Sequence, residues 1–464
     1  MKKMIGLLLA TVLTVTVLTG CSGQPADTTT PSEDTQTASS DTPSQDEQTD
    51  QTDAPQERVL KVAALESAYG AEMWNEIKAA FEAANEGVTV ALTVDKNIED
   101  VISPAMKAGD YPDVVHLAVG RPAALTETLI KENALEDISD VLSMNVPGEN
   151  VMVKDKIVPG FTDTLITNPY NDGKTYLAPM FYSPCGLFYN AGLFESKGWD
   201  VPTTWDEMWA LGDIAAEEGI ALFTYPTAGY FDAFFYALLN VTGGSDLFNN
   251  AMLYSEGVWD TPEAQQAFDI VGTLATYTEQ STPANANNEN YLKNQQLILD
   301  NKALFMPNGT WVTGEMADAP RADGFKWGFT ALPAVDANSA QYSYTFFEQV
   351  WVPAAAENKD LAKLFISFLY SDEAAGIFAK SNAIQPIVGI SSELTDENVM
   401  FYSIYDQGAK ASMGGFAATE PVEGVSMADA LLDTVNSLVS GDKTQQQWVD
   451  GVKEASDALH KALK

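Results

Sequence analysis

Between residues 59 and 94 the spacing of apolar side chains changes twice, and that double change restricts the fold more than any other feature of the chain. Residues 59–65 (VLKVAAL) and 88–94 (VTVALTV) are apolar, β-branched runs of strand length. Between them Met73, Ile77, Ala80, Phe81 and Ala84 recur at helical spacing, and Asn85 and Gly87 end that helix. Strand, helix and strand in this order close right-handed into parallel pairing, and the ligand side of such a sheet is its carboxyl edge. Residues 113–119 read as a further buried strand and residues 123–130 as a helix. Leu361, Leu364, Phe365, Phe368 and Leu369 continue the helical period, as do Met427, Leu431, Val435 and Leu438, then Trp448, Val452, Ala455 and Leu459. The class is α/β throughout, with no internal repeat.

This order begins abruptly. Residues 22–57 contain no aromatic residue, no Val, Ile, Leu or Met, and no Lys or Arg, so they cannot bury enough apolar surface to fold. They read as a disordered acidic tether spanning roughly 30 to 40 Å. Ahead of it, Lys2 and Lys3 precede an apolar run over residues 5–18 that ends in Leu18, Thr19, Gly20 and Cys21. The run falls short of the roughly 20 residues a membrane-spanning helix needs, and its layout is that of a signal peptide over residues 1–20. Its last four residues are similar to a bacterial lipobox, in which the cysteine receives a diacylglycerol and becomes the new amino terminus. Two or more acyl chains would hold Cys21 durably in a membrane. Only one other cysteine exists, Cys185, which then lacks an intrachain disulfide partner, so core burial must supply the stability.

The formal net charge of −40 makes nucleic acid an improbable partner and raises the cost of approach for acidic solutes, while a neutral ligand feels little of the field. Solubility alone also accounts for such a charge. Chemistry that would mark an enzyme is scarce. The two histidines, His116 and His460, offer no metal-ligand spacing, so no metal and no cofactor is expected. There is no Gly-x-Ser-x-Gly elbow, and Gly173-Lys174-Thr175 lacks the upstream glycine of a phosphate loop, where Asn168 stands. Paired carboxylates for glycoside cleavage stay open as an alternative, because 65 acidic residues guarantee accidental pairs and the required separation is spatial.

The runs GDYPDVVHL at 109–117, GKTYLAPMFYSPCGLFYN at 173–190, PTTWDE at 202–207 and LFMPNGTWV at 304–312, followed by residues 359–375, stand in one order that resembles the family 1 extracellular solute-binding proteins of carbohydrate ABC transporters. The likeness covers nearly everything after Arg58. It implies a two-lobed periplasmic-binding-protein-like α/β fold with crossing strands near residues 179–187 and 347–353 and an interlobe cleft. Residues 58–182 plus 348–390 would form the first lobe, and residues 183–347 plus 391–464 the second. It also implies a sugar ligand, permease subunits as partners, a monomer anchored by lipid at the outer face of the cytoplasmic membrane, and no catalysis. A sensory lipoprotein presenting the bound solute to a signalling partner is the alternative role. Residues 186–225, especially 197–207 and 223–226, resemble receptors for N-acetylglucosamine or chitobiose.

Seven positions are candidates for ligand contact. Trp311 matches a tryptophan that in this family packs beneath a sugar, whose C–H faces stack on aromatic rings; core burial is the competing account. Tyr230 matches another aromatic position, again with core packing as the alternative. Arg121 follows the strand at 113–119, where maltose-type receptors carry a sugar-binding arginine; a surface ion pair explains it equally well. Glu66 and Tyr69 occupy the loop after the first strand, at the carboxyl edge. Glu348 can accept hydrogen bonds from hydroxyls, as can Glu66, although a solvated carboxylate suits either residue. Ser183 stands where maltose-type receptors place a sugar-contacting carboxylate, a departure that counts against maltodextrin. His116, between Val115 and Leu117, reads as a satisfied core residue.

The anchor is separable from the fold on this reading. Cys21→Ala is expected to abolish retention in the membrane fraction after high-salt washing while leaving solute binding intact. Retention of the mutant would assign the anchor elsewhere, and loss of binding would contradict a passive tether.

Overall fold

The first two runs form strands β1 (Arg58–Leu65) and β2 (Val88–Asp95), and the helix between them covers Glu72–Ala84. This is a computed structural model describing residues 58–463 apart from 68, 122, 163, 229, 395 and 396, so the expected leader and tether, with Cys21, lie outside the described residues. Met73, Trp74, Ile77 and Phe81 are the buried face of that helix, which explains its 3.6-residue period. β1 pairs in parallel with β2 and with β3 (Val114–Ala118), as a right-handed crossover requires.

Asp113 fixes the start of β3. It is fully buried, and its carboxylate accepts from the Lys61 backbone N–H at 2.8 Å, the Asn358 backbone N–H at 2.8 Å and Asn358 Nδ2 at 3.2 Å. One side chain thereby ties β1, β3 and the amino end of the helix Lys359–Leu369 together.

The remaining strands are β4 (Leu177–Asn190), β5 (Ala221–Phe223), β6 (Ala303–Gly309), β7 (Trp327–Thr330), β8 (Tyr342–Trp351) and β9 (Lys410–Ser412). They join one mixed sheet of nine strands in the order β2-β1-β3-β8-β4-β6-β5, with β7 beside β4 and β9 beside β8. β4 and β8 pair antiparallel from Leu177 opposite Trp351 to Cys185 opposite Tyr344. On their other edges they take different neighbours. The carboxyl half of β8 pairs with β3, and the carboxyl half of β4 pairs with β6 and β7. These are the crossing strands. The second begins at Tyr342, earlier than the 347 expected from sequence, because Tyr342, Tyr344 and Phe346 alternate with Ser343 and Thr345 in a strand-forming run. Pro179 is the third residue of β4, where a missing N–H breaks the ladder; the register shifts between Pro179 and Phe181, and a bulge absorbs the defect.

Apolar clusters pack on either side of this strand pair. Trp74, Phe81, Phe161, Phe365 and Phe378 belong to one; Phe223, Phe231, Phe235, Phe268 and Trp448 belong to another. Leu431 and Val435 join the second cluster as their spacing implied. A π-helical turn at Asp429–Asp433 interrupts the helical period between them, before the helix Thr434–Ser440. Among the described residues no helix is long and apolar enough to cross a membrane.

Removing the Asp113 carboxylate leaves two buried backbone donors without partners. Asp113→Ala is expected to destabilise the fold by about 2 to 4 kcal/mol, read from urea denaturation midpoints; a change under about 0.5 kcal/mol would show that water replaces the carboxylate.

Candidate functional site

Side chains alternate along a strand, so the paired residues Phe181 and Glu348, Ser183 and Phe346, and Cys185 and Tyr344 share one face of the crossing ribbon. That face floors a cavity of about 410 Å³. Tyr69, from the loop after β1, and Ala118 and Val119, from the end of β3, form one wall; Ile166, Gly414 and Gly415 also line it. Gly414 has φ of 133°, and a Cβ there would meet the Phe248 ring, so only glycine lets this segment pass so close. The Tyr344 hydroxyl donates to the Gly414 carbonyl at 2.8 Å.

The floor is apolar apart from a small polar group. Tyr69 packs edge-on against Phe181, with ring centroids 5.6 Å apart. Burial raises its phenol pKa, the nearby Glu348 charge adds to the effect, and a hydrogen bond with Ser183 opposes it. Glu348 is the one carboxylate among the residues lining the cavity. Its side chain is 13% exposed, and Oε2 lies 3.0 Å from Nε2 of the wholly buried His116. His116 is a core residue as expected, but not a satisfied one: neither ring nitrogen has a hydrogen-bond partner, and the approach to Glu348 Oε2 is close without being a hydrogen bond. Its surroundings are aromatic: Trp74 at 4.8 Å and Phe181 at 5.2 Å.

Beside the cavity stands an aromatic shelf. Trp311 follows β6 and Tyr230 follows β5, so both lie at carboxyl ends of parallel strands, as Tyr69 does. The Trp311 ring is 6.1 Å from Tyr230 and 5.9 Å from Phe346, centroid to centroid. Phe346, 46% exposed, is shared by shelf and cavity. A Cβ at Gly309 would overlap the six-membered ring of Trp311, so the indole rests directly on the main chain of β6.

Of the sequence candidates, Tyr69, Ser183 and Glu348 come together in the cavity, and Tyr230 and Trp311 adjoin it through Phe346. Glu66 and Arg121 are not among the lining residues. Glu66 faces Lys96 at 3.7 Å. Arg121 holds Glu99 through two nitrogens, one at 2.8 Å, and the Lys96 carbonyl at 2.9 Å. Its pKa is raised first by the hydrogen bond to Glu99, so the ion-pair account of this arginine describes the structure.

Phe346 and Asp232 were missed in the sequence. Phe346 follows from period-two alternation once β8 is extended back to Tyr342. Asp232 is hidden within an apolar run in the first turn of the helix Phe231–Met252. Burial pushes its carboxyl from 3.8 up to about 6, against the opposing backbone N–H of Ala233. Its charge in turn raises the pKa values of Tyr236, Tyr344 and the buried thiol of Cys185, in each case behind the larger effect of burial. Among the described residues no group of three or more His, Cys, Asp or Glu side chains is placed to hold a metal ion.

Solved bacterial solute receptors share this architecture. The receptor AcbH, described as having an exclusive preference for β-D-galactopyranose, aligns with a TM-score of 0.63 at 18% identity, over 87% of this chain and all of its own. The maltose-binding protein MalE of Listeria monocytogenes, solved with maltose, gives 0.57 at 16% identity, over 88% and 99%. By fold, the molecule is therefore a two-lobed α/β solute receptor with an interlobe cleft. The family model of the bacterial extracellular solute-binding proteins matches residues 76–395, and the chain belongs to that family. Among curated relatives, the diacetylchitobiose-binding protein NgcE of Streptomyces coelicolor is 23% identical over 71% of this chain and 69% of its own. A probable sugar-binding periplasmic protein of Rhizobium meliloti is 25% identical over 43% and 48%, and the multiple sugar-binding protein of Streptococcus mutans 23% identical over 50% and 52%. The chain thus spans about half the length of these last two relatives.

The Asp232 shift has a defined sign. A carboxyl whose folded pKa of about 6 exceeds its unfolded 3.8 contributes stability in its neutral form below pH 3.8, and this is lost as pH rises through 6. Asp232→Asn stays neutral, so it is expected to gain about 1 to 2 kcal/mol over wild type at pH 7, after discounting for partial exposure, and nothing below pH 4. Urea titrations at both pH values check this; an equal difference at both would assign the effect to packing.

Proposed function

We propose that this protein captures a neutral sugar outside the cell, in the cavity floored by the crossing strands, and delivers it to the permease of an ABC importer without altering it. The observation that carries this reading is the composition of the cavity: among the described residues, one carboxylate, Glu348, and the hydroxyl-bearing Tyr69, Ser183, Tyr344 and Thr345 set among Phe181, Phe346, Phe347 and Val119. Sugars present hydroxyls at the rim and apolar C–H faces, and such a lining matches both. The size lies within the roughly 300–1,000 Å³ of small-molecule sites. The names of the relatives and the net charge of −40, which disfavours anionic solutes, support the same class. The likeness to the diacetylchitobiose-binding protein NgcE points to an N-acetylglucosamine disaccharide as the sugar. A glycosidase needs two carboxylates flanking one bond; among the described residues that line this cavity, Glu348 is the one carboxylate.

In this reading Tyr69, Ser183 and Glu348 bind hydroxyls, and Trp311 with Tyr230 supports a ring face. Glu66 and Arg121 reach a solute only by exchanging their present partners. Residues 58–182 with 348–390 act as one lobe and residues 183–347 with 391–464 as the other. The packing of Leu361, Phe365 and Phe378 with Trp74 and Phe81, and of Leu431 and Trp448 with Phe235 and Phe268, fits that division, whereas Phe329, Phe401 and Tyr405, placed with the second lobe, pack in the first cluster. Closure about β4 and β8 desolvates the sugar and signals occupancy. Diacylated Cys21 holds the monomer at the outer face of the cytoplasmic membrane.

A thermal-shift screen with diacetylchitobiose, galactose, maltose and other neutral saccharides tests the class; a ligand at a hundred times its Kd adds about 2.7 kcal/mol. No shift across the panel would sink the sugar reading, and stoichiometry-exceeding cleavage of a bound saccharide would make the protein a hydrolase. For the saccharide that binds, Trp311→Ala is expected to raise Kd at least about tenfold by calorimetry with little change in melting temperature. A mutant that melts far earlier yet binds normally would assign Trp311 to the core.

A further inference from the structure

We infer that Glu315, held by Gln295, is the polar edge of a second saccharide subsite over the Trp311 shelf, so that the solute has at least two sugar rings. The inference rests on the sugar-binding reading above and extends it to a residue outside the cavity lining. Trp311 and Tyr230 do not line the cavity, and Phe346 is the residue that shelf and cavity share. A solute that uses both surfaces extends across Phe346, with one ring over the shelf and another in the cavity. Glu315 reaches the shelf through its own turn. Its backbone N–H donates to the Trp311 carbonyl at 3.0 Å, so the two residues stand at i and i+4 on one side of that turn. Helical side chains lean toward the amino end, which brings the carboxylate back toward the indole. Gln295 then fixes its direction. This glutamine is wholly buried, and its Nε2 donates to Glu315 Oε2 at 3.0 Å; among the described residues the other carboxylate oxygen has no partner. The helix that carries Gln295, Tyr291–Leu299, is itself tied down, since Asn294 Nδ2 donates to the carbonyls of Tyr225 at 3.0 Å and Thr282 at 2.9 Å. Burial raises the Tyr230 phenol pKa and the Glu315 charge adds to it, as a carboxylate close to the shelf requires. One oxygen engaged by a fixed donor and one left free is an arrangement that accepts a sugar hydroxyl at little ordering cost.

Calorimetry with two matched pairs of probes tests this: diacetylchitobiose with N-acetylglucosamine, and maltose with glucose. In the wild type the disaccharide that binds is expected to bind at least about tenfold more tightly than its monosaccharide. Glu315 is exposed, so Glu315→Ala should keep the wild-type melting temperature. It is expected to raise the disaccharide Kd about tenfold and the monosaccharide Kd by less than about twofold. Gln295→Leu, which keeps most of the volume without the amide, is expected to raise the disaccharide Kd about fivefold alone and to add little in the Glu315→Ala background. Should Gln295→Leu fail to fold, the comparison of probes in Glu315→Ala still decides the subsite. Unchanged disaccharide binding in Glu315→Ala, equal losses for both members of a pair, or binding confined to monosaccharides would overturn the second subsite and leave the sugar-binding reading standing. Additive losses in the double mutant would overturn the positioning role of Gln295. Failure of every saccharide of the panel to bind the wild type would instead remove the sugar reading, and this subsite with it.

Discussion

The antiparallel pairing of β4 with β8 is the interaction on which the rest of the molecule depends. Each strand pairs with the other along one edge and with separate neighbours along its other edge, so the two halves of the sheet share one ribbon of backbone. Because side chains alternate along that ribbon, one face is left to form the floor of a cavity. Mechanical linkage and the cavity lining therefore fall on the same residues: Phe181, Ser183, Tyr344, Phe346 and Glu348 join the halves through their main chains and line the cavity.

The polar content of this floor is small, and its neighbours are apolar. In such surroundings each hydrogen bond is electrostatically stronger than in water and each unpaired group costs more. Tyr69, Ser183 and Glu348 are grouped, with Glu348 backed by His116. Asp232 illustrates the opposite case, a partly buried carboxyl whose desolvation exceeds what its local hydrogen bond returns.

Much of the architecture was legible because it rests on local periodicity. The β1, helix, β2 unit and the strand at 113–119 lie within a residue or two of their expected limits, since strand and helix periods differ and their ends carry Asn and Gly signals. The early part of β8 was not legible: its serine and threonine positions mask the alternation, and its β4 partners are more than 150 residues away in sequence. For the site, the rule that ligands meet the carboxyl ends of parallel strands brought out Tyr69, and the family resemblance brought out Tyr230 and Trp311, all at or beside the cavity. The same rule also pointed to Glu66, and the resemblance to Arg121, because a loop's position does not reveal which neighbour captures its charge; Lys96 and Glu99 are close enough to do so. His116 could be placed in a strand from sequence, but its relation to Glu348 depends on the register between β3 and β8.

The indole of Trp311 lies against Gly309 with no side chain beneath it. A platform supported by main chain cannot be raised or lowered by exchanging the residue under it, because any substituent at position 309 displaces the ring altogether. Divergence toward new ligands is thus channelled to the opposite side of the cleft. There, Val119, Ser183 and Phe346 project from strands or strand ends and can change size without moving the backbone, so one fixed aromatic surface can serve solutes of many shapes.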